Sequence, residues 1–313
     1  MSSTQATPTA PVESKKVWTT LITNTDYLTG LLTLDYSLKK HGTKYPLVAL
    51  YTDSFPAEGH AALDARSIPK EHVKYLLPKV GKDYTNDPRF YDCWSKLTPF
   101  SLEHYDRVVQ LDSDMLVLQN MDELMEMELD PPSAAGKGNK VFAASHACVC
   151  NPLKKAHYPK DWVPENCAFT SQHSDPATAQ HTGAGPAVGL GMPNGGLQVV
   201  NPSKAVYDLI LDQLANESSM NYDFADQSLL SDVFWGRWVA LPYIYNALKT
   251  MRTEGVHHQI WQDDKVKNIH YILSPKPWSE APDKLSNENH QWWWTVNNER
   301  LEAEKKSGIE DGF

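Results

Sequence analysis

Nothing in these 313 residues approaches the roughly 18 to 20 consecutive apolar residues that a membrane-spanning helix requires. The opening MSSTQATPTAPVESKK is polar, carries Pro8 and Pro11, and lacks the apolar stretch of a secretory leader. A disordered tail over residues 1–16 and a cytoplasmic protein with no membrane partner are therefore expected. Cysteine is scarce, with four in all (Cys93, Cys148, Cys150 and Cys167), too few for a disulfide framework in a chain this long. Positive charge is also short: 29 Lys and Arg against 39 Asp and Glu give a formal net charge of −10. That excludes a basic face gripping a phosphate backbone, and with it a nucleic-acid partner. An anionic small molecule stays admissible where a metal or a few local cations neutralise it. No internal repeat is present.

What is there suits a soluble α/β protein. Apolar residues make up 41% and charged residues 22%, with length for one large domain or two smaller ones. VWTTLITN (17–24) has the β-branched character of a buried strand. YLTGLLTLDYSLKKHG follows with Leu28, Leu31, Leu32, Leu34 and Leu38 at helical spacing, and closes on Lys39, Lys40, His41 and Gly42. YPLVALYTD then predicts a second strand. A strand–helix–strand opening implies a parallel sheet with right-handed crossovers.

Further along, FYDCWSKLTPFSL predicts a helix interrupted at Pro99, DRVVQLD a short central strand continued by MLVLQN, and MDELMEME a short helix. Residues 130–193 are rich in Pro, Gly, Ser and Thr, as expected of a loop-rich insertion or lid. GGLQVVNPS restores a strand. SKAVYDLILDQLANE is an amphipathic helix with Ser203 as its cap, YDFADQSLLSDVFWGRW a helix ending near Gly236, and KNIHYIL a late strand. Residues 286–313 form a polar tail whose one oddity is Trp292–Trp294, expected to pack back on the main domain of residues 17–285.

The chemistry concentrates in RVVQLDSDMLVLQNMDEL. Residues two apart on a strand face the same way, so Asp112 and Asp114 converge where the strand ends. Two carboxylates together repel unless a proton or cation sits between them. Mn²⁺ or Mg²⁺ favours such oxygen ligands and is commonly completed by substrate phosphates. The competing reading is a pair of turn aspartates.

LDSDMLVLQNMDEL resembles the D-x-D segment of the retaining glycosyltransferases of family eight, which includes glycogenins and plant galactinol synthases, and the match runs in order from about residue 17 to 280. The resemblance implies a GT-A type nucleotide-diphospho-sugar transferase fold, a Rossmann-like mixed α/β sheet flanked by helices. It implies Leu21, Thr23, Asn24 and Tyr27 (TTLITNTDY) as nucleotide contacts, Lys96 (CWSKL) and Arg89 (DPRFYD) on the donor, and Asp112, Ser113 and Asp114 at the metal–diphosphate. Asn194 and Gly195 (NGGLQVVNPS) would lie near the donor sugar, and Asp226 and Gln227 (DFADQSLL) beside the reacting centre. His270 (HYILSPKPW) becomes a third metal ligand and Lys276 a diphosphate contact. Taken alone, each has an ordinary reading: Asp226 as a helix cap, His270 as structural, Lys96 and Lys276 as surface charges, Tyr27 as packing.

Mn²⁺ or Mg²⁺ and UDP-glucose or UDP-galactose are thus the implied cofactor and donor, with a small hydroxyl acceptor; a homodimer is compatible with this reading. The metal would act as a Lewis acid on the leaving diphosphate, Asp226 or Gln227 would stabilise the oxocarbenium-like centre, and Lys96 would orient Asp226 or a sugar hydroxyl. Retention would follow front-face attack or a covalent Asp226 intermediate. The self-glucosylated tyrosine of glycogenins corresponds to Thr253, with no tyrosine between Asn246 and Tyr271, and Leu273 and Ser274 stand where the family carries glycine between the closing histidine and lysine. FADQ, the cysteine loop HACVCNPLKK…ENCAF and HQWWWTVNNE are closer to the galactinol-synthase branch, which transfers galactose to myo-inositol. A scaffold that binds UDP-sugar without catalysis is the alternative. Cys148, Cys150 and Cys167 with His146, His157 and His173 could bind zinc, but the spacing is not a standard finger pattern, and free thiols over the cleft are expected.

Overall fold

The chain opens as its patterning predicts: β1 (Lys16–Ile22), α1 (Leu28–Lys40) and β2 (Leu47–Tyr51), then α2 (Ala57–Ala65) and β3 (Lys70–His72). This is a computed structural model, and it describes residues 12–80, 83–85 and 89–313. Of the expected tail, residues 1–11 lie outside the described residues, and Lys16 already belongs to β1. Gly42 ends α1 with φ +70° and donates its N–H to the carbonyl of Lys39 at 3.0 Å, the left-handed stop that glycine allows.

Next come α3 (Arg89–Cys93), β4 (Arg107–Leu111), β5 (Met115–Val117), β6 (Phe142–Ala144), β7 (Leu197–Val200), α4 (Lys204–Leu214) and α5 (Ala225–Val233). The chain closes with β8 (Val239–Ala240), β9 (Ala247–Leu248), β10 (Asn268–His270) and α6 (Asn289–Lys306). Ser203 accepts from the Val206 N–H and caps α4 as expected. The helix expected across Pro99 is instead short α3 followed by 3₁₀ turns over Trp94–Ser101, which run through the proline. MDELMEME gives a 3₁₀ turn at Asp122–Met125.

Seven strands form one mixed sheet in the order β3-β2-β1-β4-β7-β6-β8. β1 runs parallel to β2, with Trp18 opposite Leu47, and to β4, with Val17 opposite Val108. β7 is antiparallel to β4, with Val108 opposite Val200. Both faces are covered, so the central strands read as continuous apolar runs. Trp18, Ala49 and Val109 pack with Leu31, Leu34 and Leu63 of α1 and α2. Val17, Val48 and Val108 pack on the other side with Trp94, Ile210 and Leu229.

A second sheet, β5-β10-β9, stands apart. MLVLQN therefore does not extend β4: after Leu111 the chain bends at Asp112–Asp114 and enters this other sheet, where Met115 pairs with His270. The polar tail expected after residue 286 is largely α6, with Trp293 wholly buried. Its inward face is mostly polar, and hydrogen bonds tie part of it down: Asn297 accepts from Thr33 of α1 at 2.8 Å, and buried Arg300 donates to Asn297. Trp294 donates to the carbonyl of Pro277 at 3.0 Å, which fixes α6 to the segment after β10. Among the described residues no helix is long and apolar enough to cross a membrane.

Candidate active site

β1 leads through α1 to β2 on one side and lies against β4 on the other, so the strand order reverses there. Open α/β sheets bind ligands at such a reversal, beyond the carboxyl ends of the strands. A cleft of about 370 Å³ lies at that place, lined by Leu21 near the end of β1, by Thr23, Asn24 and Tyr27 after it, and by Asp112, Ser113 and Asp114 after β4. Lys96, Asn194, Asp226, Gln227, His270 and Lys276 complete this lining from four further segments. Gly195 lies directly beneath Asp226. Arg89 begins α3, but its side chain lies outside the described residues.

The bend between the sheets brings the two carboxylates to one histidine. His270 Nε2 is 3.2 Å from Asp114 Oδ1 and 3.6 Å from Asp112 Oδ2. The imidazole's orientation follows from a chain of hydrogen bonds anchored on backbone. The Gly196 N–H donates to Asn194 Oδ1 at 3.0 Å, which makes that atom an acceptor, and Asn246 Nδ2 donates to it at 2.8 Å. Asn246 Oδ1 therefore faces His270 Nδ1, 2.9 Å away, and receives its proton. His270 Nε2 is thereby turned toward two carboxylate oxygens. Two carboxylates converging on one point call for a cation, and with an imidazole nitrogen beside them they suit a hard divalent ion with open positions.

Two ammonium groups supply positive charge at the same place. Lys96 Nζ donates to Asp112 Oδ2 at 2.7 Å, while Asp226, one of its two expected partners, acts on it through charge. Lys276 Nζ donates to Asp114 Oδ2 and to the carbonyl of Tyr271. Burial alone would raise the Asp114 carboxyl, but Lys276 and then His270 hold it well below the usual carboxylate range. Burial likewise opposes the charge on Lys96, yet Asp112, followed by Cys93 and Asp226, holds its pKa well above the ordinary lysine value.

Asp226 differs from the metal-facing pair. It is 2% exposed and opens α5 just after Ala225, whose φ of +41° places a non-glycine residue in the left-handed region. Backbone held there costs free energy and clusters at functional sites. Burial, partly offset by Lys96 and reinforced by Asp112, pushes the Asp226 carboxyl up to about 7. Gln198 Nε2 donates to it at 3.3 Å, and Gln227 Oε1 accepts from the Gly195 N–H at 2.9 Å. A Cβ at position 195 would run into Asp226 Oδ2, so only glycine lets the strand pass beneath this pair.

At the other end, Thr23 Oγ1 donates to Asp92 Oδ2 at 3.0 Å, and Asn24 caps the turn that carries Tyr27 by accepting from the Asp26 N–H at 2.9 Å. Tyr27 meets Trp278 edge to face, with centroids 5.6 Å apart. Ser113 turns its hydroxyl inward to Thr20 Oγ1 at 2.9 Å, and its carbonyl passes so close to Gly30 that a Cβ there would collide. Sequence reasoning missed Asp92, Asn246 and an aromatic wall of Phe90, Tyr158, Trp162 and Phe224. Trp162 stacks on Phe224 with centroids 4.1 Å apart and planes 16° off parallel. None of these carries a local signature, since each matters only through a distant partner.

A GT-A sheet with a carboxylate pair at its switch point defines the class as a glycosyltransferase. The chain belongs to glycosyl transferase family 8, whose family model matches residues 19–281. It is 25% identical over 309 residues to galactinol synthase 1 of Ajuga reptans, covering 95% of this chain and 85% of that protein. Among solved structures it resembles the galactosyltransferase LgtC in complex with donor and acceptor sugar analogues, with TM-score 0.60, 13% identity, and coverage of 90% of this chain and 95% of that one. It also resembles the bifunctional WbbM glycosyltransferase, with TM-score 0.59, 16% identity and 93% of this chain covered; there it spans about half of the partner, 51%. At these identities the solved structures speak to the fold alone.

Proposed function

We propose that the protein transfers a hexose, glucose or galactose, from a UDP-sugar to the hydroxyl of a small acceptor with retention at the anomeric carbon. A polyol such as myo-inositol is the acceptor class, in line with its galactinol synthase relatives. The observation that carries this reading is the convergence of Asp112, Asp114 and Nε2 of His270, whose ring is oriented through Asn246 and Asn194. These three residues would hold Mn²⁺ or Mg²⁺, which supplies Lewis-acid stabilisation of the charge developing on a diphosphate leaving group.

The chain's own residues then divide the remaining work. Lys276 and Lys96, paired with the two aspartates, are placed to turn their ammonium groups toward diphosphate oxygens once a dication neutralises those carboxylates. Leu21, Thr23, Asn24 and Tyr27, with Asp92, form the nucleoside end. Asp226 and Gln227, held on Gly195, present oxygen toward the sugar end, where positive charge grows as the glycosidic bond breaks. The aromatic wall opposite gives the apolar faces of a hexose or polyol ring a surface to pack on and excludes water from the reacting centre.

Purified protein incubated with Mn²⁺ and individual UDP-sugars, with and without myo-inositol, tests this reading. Release of UDP that rises on adding the polyol, with an α-linked product from an α-linked donor, is expected. Tight UDP binding with neither hydrolysis nor transfer for any UDP-hexose would replace catalysis by a binding role.

A further inference from the structure

A second group of metal-ligating side chains converges in the loop-rich wall of the cleft. The Sγ atoms of Cys148, Cys150 and Cys167 stand 3.4, 3.2 and 3.4 Å from Nε2 of His257. All four donor atoms lie within 4.8 Å of one another. A tetrahedral site with Zn–S of about 2.3 Å and Zn–N of about 2.0 Å has S···N edges of roughly 3.5 Å and S···S edges of roughly 3.8 Å. The side chains thus stand close to the corners that zinc requires.

Hydrogen bonds to the imidazole alone do not account for three sulfurs around one nitrogen. A neutral imidazole nitrogen offers one lone pair, enough for one thiol donor and not three. His257 Nδ1 lies 2.9 Å from Nε2 of His173, and a proton on Nδ1 donated to His173 is the state that turns the Nε2 lone pair toward the sulfurs. Metal-bound histidines characteristically have such an outer partner. His257 is wholly buried, and all three cysteines are free thiols. Of the histidines nearer in sequence, His146 Nε2 faces the carbonyls of Ala184 and Gly185, each at 3.1 Å, and His157 packs on the ring of Tyr158.

We infer that Cys148, Cys150, Cys167 and His257 bind a structural zinc ion that ties together two segments of the cleft's loop-rich wall. Binding releases three thiol protons, so the unit of three thiolates, one neutral imidazole and Zn²⁺ carries a net charge of −1. Four protein ligands close the coordination sphere and leave no position for substrate, which makes the ion structural. Cys148 itself lines the cleft, as do Tyr158 and Trp162 in the loop between Cys150 and Cys167. Leu248 and Thr250 line it from the segment that leads on to His257. The ion therefore holds the aromatic wall at a fixed distance from the sugar end. This soft sulfur site is distinct from the oxygen-rich centre at Asp112, Asp114 and His270.

Metal analysis of the full chain, purified without chelator from zinc-replete medium, tests the inference independently of any transferase activity. About one zinc per chain is expected, with an X-ray absorption spectrum fitted by three sulfurs and one nitrogen. Asp114→Ala should retain the zinc, and Cys150→Ser and His257→Ala should lose it. His173→Ala should keep the ion but yield it to a competing chelator at roughly 10- to 100-fold lower concentration. Zinc-free wild-type protein whose cysteines all react with a thiol reagent in the folded state would overturn the proposal. So would a Cys148–Cys150 disulfide found by mass spectrometry, or zinc with an all-nitrogen and oxygen shell.

Discussion

The cleft has two walls built on opposite plans. The donor wall is made of strand ends: Leu21 and Ile22 end β1 and Thr23 follows it, Asp112 to Asp114 follow β4, and His270 ends β10, so backbone pairing sets where each side chain stands. The opposite wall, residues 147–169 together with residues 249–257, contains only 3₁₀ turns and loops, held by buried aromatics and by the cysteine–histidine cluster. The difference is that a sheet can place hard oxygen ligands around an open cation position without further help. A wall of loops needs its own cross-link, and its sulfur-rich ligands suit a closed site. On this view the donor wall carries bond cleavage and the loop wall carries acceptor choice.

The largest test of that division is Asp114→Ala. It should lower metal-dependent UDP release at least a thousandfold with the far-ultraviolet circular dichroism unchanged, since both the metal and Lys276 lose their partner. Full turnover by the variant in EDTA would end the donor-wall assignment. Asp226→Asn should follow, with transfer reduced about a hundredfold and UDP binding by calorimetry retained.

The same variant sharpens the comparison through pH. The Asp226 carboxyl titrates at about 7 in the folded chain against an ordinary 3.8. Between those values the folded state holds more protons than the unfolded state, so stability falls as pH rises through this window, by up to about 1.4 kcal/mol per pH unit. Metal-free Asp226→Asn lacks that slope, so its gain in Tm over the parent should be larger at pH 8 than at pH 4. An equal difference at both pH values would show that Asp226 is not held protonated.

Asn246→Leu tests the chain that orients His270. It should weaken Mn²⁺ binding by roughly 10- to 100-fold, read by titration, while zinc content is unaffected. Loss of both metals together would mean that the two walls fold as one unit. The smallest effect is expected for Thr23→Val, which removes the hydrogen bond to Asp92 at the nucleoside end. About 1 kcal/mol, or several-fold in UDP affinity, is the expected scale, with the rate of transfer at saturation unchanged.

Legibility in the sequence followed the same line between the walls. β1, α1, β2, α4 and its Ser203 cap were readable because local periodicity and capping chemistry produce them directly. β6, β8 and β9, of three, two and two residues, carry no periodic signal and exist only through their partners. α6 reads as a polar tail because most of its inward face is polar, with Asn289, His290, Asn297 and Arg300 buried beside Trp293 and Val296. His257 was invisible beside the cysteines because it lies far along the chain from all three, whereas the nearer His146 and His157 point elsewhere.

The amino-acid sequence alone determined the opening strand–helix–strand order, the Ser203-capped helix α4, and the placement of Asp112 and Asp114 at a strand end. Those features follow from backbone geometry and the burial of apolar faces within a few residues of one another. Tertiary structure alone decided that the chain after Leu111 leaves one sheet for another, that Asn246 turns His270 Nε2 toward the carboxylates, and that Lys96 pairs with Asp112. It also brought His257 to the three thiols. Each of these depends on groups distant in the chain meeting at hydrogen-bond range, and no local preference encodes such a meeting.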